Sequence, residues 1–122
     1  MWIFTRDSFL SIVRDRTDPE RMLVRAREAE DIRRIWPSAD VTETPDADYR
    51  FRASIGRTDT ANTIAALVSG ITYTTDFKGG VREKDRHDAY FKVWDVMHRW
   101  QQHRSALGSP GRTNPSRTKP PR

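Results

Sequence analysis

The chain has 122 residues, no cysteine and a formal net charge of +5; one domain is the default, and disulfides and thiolate metal sites are excluded. The charge is uneven: residues 105–122 hold four bases (Arg112, Arg117, Lys119, Arg122) and no acid, which leaves 18 bases against 17 acids in residues 1–104. The high pI is therefore a property of the tail and does not by itself mark a nucleic-acid protein.

Met1-Trp2-Ile3-Phe4-Thr5 opens the chain apolar and without a basic n-region, which predicts a strand rather than a signal peptide. No apolar run nears the ~18 residues of a membrane span. These features predict a cytoplasmic protein of bacterial or phage type that makes no use of a membrane. Trp2–Thr5 and Phe9–Arg14 are rich in aromatic and β-branched residues, with Arg6-Asp7-Ser8 as a kink or bulge between them. Asp15–Glu20 is a polar loop, and Arg21–Arg27 alternates with the period of a strand.

Glu28–Trp36 predicts a short helix, with acids in its first turn, Arg33 and Arg34 near its end, and Pro37 as the stop. A short strand over Asp40–Thr44 precedes the clearest one, Asp48–Ile55, where Tyr49, Phe51, Ala53 and Ile55 share one face. Thr58 or Asp59 is suited to cap the next helix, and Gly70 to close it in the left-handed conformation. Thr72–Thr75 predicts a further β-branched strand. Gly79-Gly80 is a flexible break before the longest helix, about Lys84 to Arg104, where Tyr90, Val93, Trp94, Met97 and Trp100 make a broad apolar stripe. From Ser105 the chain turns to Gly, Ser, Pro, Thr and base, which predicts disorder over 105–122.

From Arg21 this order is βαββαβ, the split-βαβ pattern of ferredoxin-like folds. The expected fold class is α+β: a ferredoxin-like sheet with an extra N-terminal strand and a long C-terminal helix packed on it. Residues 1–104 would form this single domain, with the basic tail outside it.

Met1-Trp2-Ile3-Phe4-Thr5, Leu23-Val24-Arg25-Ala26-Arg27, Asp48-Tyr49-Arg50, Phe77-Lys78 and Val93-Trp94, in that order, resemble a group of small uncharacterised bacterial and phage proteins. The likeness spans roughly residues 1–97. The group carries Asn where this chain has Asp76, and its members generally lack the tail. No activity is established for the group, so the resemblance implies kinship and no mechanism.

No motif fixes a reaction, and no catalytic set, cofactor or metal site is assigned. Arg25, Arg50 and Arg52, with Lys78 near them in character, are anion-binding candidates if the strand arginines share one face, since a guanidinium fork suits phosphate or carboxylate. The competing explanation is pairing with acids such as Asp48, or a solvated edge strand. Asp46 and Asp48 have the chemistry to hold Mg²⁺ but equally that of an ordinary turn. All three histidines (His87, His98, His103) fall in the last helix, where Asp95 and His98 are three residues apart. Gly79-Gly80 after Lys78 lacks the spacing of a phosphate-binding loop. The four tryptophans, Trp2, Trp36, Trp94 and Trp100, sit on apolar stripes and are expected in or near the core, with Trp2 and Trp100 as interface candidates. The tail bases Arg112, Arg117, Lys119 and Arg122 are able to contact phosphate backbones, without interleaved aromatics.

Two function classes follow. One is a small non-enzymatic interaction module whose partner is an unidentified protein or its own copy, through an exposed strand edge. The other is a nucleic-acid or phosphate binder using the strand arginines and the tail.

Overall fold

Alternation in three segments builds the core. Leu10 and Ile12, Val24 and Ala26, and Ala53 and Ile55 all point to one side of their strands and are buried there. The computed structural model describes Met1–Gly108. The chain divides into two units, Met1–Arg82 and Glu83–Arg122.

The first unit runs β1 (Trp2–Phe4), β2 (Phe9–Arg14), β3 (Arg21–Ala26), α1 (Ala29–Arg33), β4 (Thr42–Glu43), β5 (Phe51–Gly56) and α2 (Arg57–Ser69), followed by a 3-10 turn at Lys78–Gly80. The strands form one antiparallel sheet in the order β1-β2-β3-β5-β4. Ile32 of α1, Trp36 just beyond it and Ile64 of α2 close the core over the shared apolar face.

Asp31 ties α1 to the sheet. Its carboxylate is buried, accepts the Phe9 backbone N–H at 2.9 Å and pairs with Arg34 at 3.0 Å. Residues 5–8 make a tight turn between β1 and β2 rather than a bulge. The Thr5 N–H donates to the Ser8 carbonyl at 2.7 Å, and the Ser8 N–H to the Thr5 hydroxyl at 2.9 Å.

Several expectations are corrected. Thr72–Thr75 is not a strand, so the last strand that a ferredoxin-like split βαβ requires is missing. That segment is held by a side chain instead of a ladder. Arg6 donates to the carbonyls of Phe77 (3.1 Å) and Asp76 (2.9 Å), and its guanidinium carbon lies 4.3 Å from the Tyr73 ring centre. The Gly79-Gly80 break is that 3-10 turn, closed by the Asp76 carboxylate accepting the Gly79 N–H at 2.8 Å.

α2 starts at Arg57 without a side-chain cap; the Thr60 hydroxyl donates to the Gly56 carbonyl at 2.8 Å. Gly70 ends it at φ −88°, outside the left-handed region. The left-handed glycine is Gly108, at φ 62°, which ends the last helix.

Among the described residues the second unit contains one helix, α3 (Lys84–Leu107). It runs three residues past the expected boundary at Arg104, through Ser105, Ala106 and Leu107. Of the four tryptophans only Trp36 is buried; Trp2 is 63% exposed, Trp94 48% and Trp100 54%. Trp2 projects from the face of an edge strand opposite the core. A single helix has nothing within its own unit against which to bury an indole stripe. No described helix is long and apolar enough to cross a membrane.

Candidate binding face

Both helices of the first unit pack on the core face of the sheet, and within that unit the opposite face carries no helix. The register places one residue from each strand in a single row across it: Trp2, Ser11, Arg25, Arg52 and Thr42. Arg25 and Arg52 are directly opposed, an arrangement that costs stability unless something intervenes.

Tyr49 intervenes. It is buried, and two guanidinium groups lie over its ring, Arg25 at 4.7 Å and Arg27 at 4.4 Å from the centre. Arg25 also donates to the Ser11 hydroxyl at 2.7 Å, while its Nε is buried with no hydrogen-bond partner among the described residues. Arg52 donates to the Tyr49 carbonyl at 3.3 Å, and Arg27 to the Asp48 carbonyl at 2.5 Å. Asp48 is the acid in reach, 3.7 Å from Arg52 and well exposed. Its carboxylate also accepts the Tyr49 N–H at 2.8 Å. Arg52 is the guanidinium that pairs with this solvated carboxylate, and the cluster of three arginines and one acid is net positive.

An aromatic ladder flanks the row. Phe4 and Phe9 stack at 4.5 Å, and Trp2 stands edge-on to Phe9 at 5.8 Å. Phe9 in turn lies 6.4 Å from Tyr49. On the other side of Arg52 a shallow groove of about 470 Å³ is lined by Leu23, Asp40, Thr42, Thr44 and Ser54, among others. Arg21, at its margin, donates to the Ser54 hydroxyl and carbonyl, both at 2.7 Å.

Of the expected anion set, Arg25 and Arg52 come together. Arg50 does not join them: it pairs with Glu43 of β4 at 2.6 Å. Lys78 lies in the 3-10 turn, off the sheet. Arg27 and Tyr49 complete the cluster and were missed. Arg27 continues the two-residue period of Arg25, and that was the available signal. Tyr49 was assigned to the core face by extending the β5 alternation, but β5 begins only at Phe51. Trp2 sits at the outer end of the row, while Trp100 is on α3. The tail bases Arg112, Arg117, Lys119 and Arg122 lie outside the described residues.

On α3, Asp95 pairs with Arg99 at 3.1 Å, and His98 stacks on Trp94 at 4.9 Å instead of meeting Asp95. Lys84 and His87 beside Asp88 hold its carboxyl below the usual range. Asp15, in the β2–β3 loop, is held low by the N–H and hydroxyl of Thr17 and by the N–H of Asp18. No cluster of three or more metal-ligating side chains occurs among the described residues.

Comparison of the chain with family models, with curated proteins and with solved structures finds no match.

Proposed function

We propose that this protein is a non-catalytic binding module whose working surface is the helix-free face of the sheet, and that it takes an acidic segment of a partner protein. The observation that supports this most is the opposed pair Arg25–Arg52, of which Arg52 pairs at 3.7 Å with the exposed Asp48 carboxylate, with an exposed Trp2 in the same row. A carboxylate from a partner relieves the like-charge opposition. Trp, Tyr and Arg are also the residues that dominate interface energetics. The same reading places the protein in the cytoplasm, where a chain without cysteine loses nothing to a reducing environment. It treats β3-α1-β4-β5-α2 as an incomplete ferredoxin-like split βαβ, with β2 in the place of the closing strand.

Nucleic acid is the second reading, favoured by the same guanidinium groups, which suit phosphate. It is the weaker one because base stacking needs open ring faces. Tyr49 is buried and Phe4 and Phe9 stack on each other, so Trp2 is the one exposed ring of these four.

Selection of random peptides on the immobilised full chain tests the proposal. Enrichment of Asp- and Glu-rich peptides is expected on the wild type and its loss on an Arg25→Ala/Arg52→Ala variant. Acidic enrichment that survives the double change, or none on the wild type, overturns it.

A further inference from the structure

We propose that the acidic group taken by the helix-free face is a phosphorylated side chain of the partner protein, a phosphomonoester. The inference rests on the reading of that face as a surface for an acidic protein segment, and it names the group at its centre.

The ladder sets Arg25 and Arg52 at a close-approach position. The Arg57 N–H donates to the Glu20 carbonyl at 2.7 Å, and the β3–β5 register continues from that pair. Hydrogen-bonded pairs therefore fall at Ile55–Met22, Ala53–Val24 and Phe51–Ala26, and Arg52–Arg25 lies between two of them. The other edge agrees: Arg50, just before β5, turns its carbonyl to the β4 side, where it accepts the Thr44 N–H at 2.6 Å. At a non-hydrogen-bonded pair the Cα atoms are about 4.5 Å apart and the side chains are nearest. Each guanidinium is anchored on one side. Arg25 donates from Nη2 to the Ser11 hydroxyl at 2.7 Å, and Arg52 from Nε to the Tyr49 carbonyl at 3.3 Å. The Nη1 group of each makes no hydrogen bond among the described residues.

Two neighbouring forks select the ligand. A carboxylate has two oxygens, and one guanidinium fork occupies both. A phosphomonoester has three terminal oxygens and serves two forks at once. Charge points the same way. Arg25, Arg27 and Arg52 against Asp48 leave two positive charges unmatched, and Glu43 of β4 is taken up by Arg50. A carboxylate or a nucleic-acid phosphodiester supplies one negative charge, whereas a phosphorylated side chain supplies about 1.5–2 at neutral pH. Asp48 does not bar it: this carboxylate is 75% exposed, so solvent screens its repulsion.

Amide-shift titration of the isotope-labelled full chain is the test. Three peptides of Gly, Ala and Leu differ only at one central residue: serine, glutamate or phosphoserine. The phosphoserine peptide is expected to shift the Ser11, Arg25 and Arg52 amides with an affinity ~tenfold or more above that of the glutamate peptide, and the serine peptide to leave them unmoved. Arg52→Ala should remove the response, with the other amides showing that the fold is kept. Asp48→Asn, which retains an acceptor for the Tyr49 N–H, should tighten phosphopeptide binding. Glutamate that binds as tightly as phosphoserine overturns this inference and leaves the acidic-segment reading in place; two acidic peptides that both leave the row unmoved overturn that reading as well. Inorganic phosphate that displaces the phosphopeptide at equal concentration overturns a protein-borne group, and a phosphopeptide response that survives Arg52→Ala overturns the site.

Discussion

Arg25 and Arg52 face each other across the β3–β5 ladder, and Tyr49 packs against the first while its carbonyl receives the second. Removing Arg52 deletes a like-charge opposition of ~0.2–1 kcal/mol together with a long, exposed pairing to Asp48 that contributes little. Arg52→Ala is therefore expected to change unfolding free energy by less than ~1 kcal/mol, measured in urea, while abolishing enrichment of acidic peptides. A site kept for binding rather than for folding has this signature.

Asp31 is the opposite case. It is 2% exposed and holds the start of β2 and the end of α1 at once. Asp31→Ala leaves the Phe9 N–H without its acceptor and Arg34 without its partner carboxylate. The expected loss is about 1–3 kcal/mol, read as a lower urea midpoint at unchanged slope.

Arg6 is expected to control the segment that replaces the missing strand. Its three contacts there are two carbonyls and the Tyr73 ring, and a methyl group at Gly80 would occupy the space of its guanidinium. Arg6→Ala and Gly80→Ala should both speed amide exchange at Gly79, Gly80 and Val81, with the β2 and β3 amides unaffected.

The Asp15 loop carries a pH dependence. Hydrogen bonds from Thr17 and Asp18 depress this carboxyl in the folded state. Its contribution is therefore present above the pKa of the unfolded chain and is lost as pH falls through the lower folded value. Carbon-detected titration should show Asp15 ionising below the ordinary aspartate range, and Thr17→Val should move it upward.

Period-two patterning made the core strands legible: Leu10, Ile12, Val24, Ala26, Ala53 and Ile55 all sit where alternation puts them. The same patterning brought Arg25 and Arg52 to one face. What it missed depends on contacts distant in sequence. Nothing near Thr72–Thr75 reveals that Arg6, seventy residues away, holds the chain there through side-chain bonds to Asp76 and Phe77. Arg50 lies in phase with Arg52, yet the short edge strand β4 supplies Glu43 and draws it off. Trp94 is exposed against expectation because an apolar stripe says that a surface needs covering, not that its own chain covers it.

The most direct measurement is a pair of amide-shift titrations of the isotope-labelled full chain, with an acidic peptide containing Leu and Phe and with oligothymidylate of equal length. The expected result is that the peptide shifts Trp2, Ser11, Arg25, Arg52 and Thr42 together and that Arg25→Ala/Arg52→Ala removes the response. Shifts of that row by the oligonucleotide but not by the peptide would contradict an acidic protein partner.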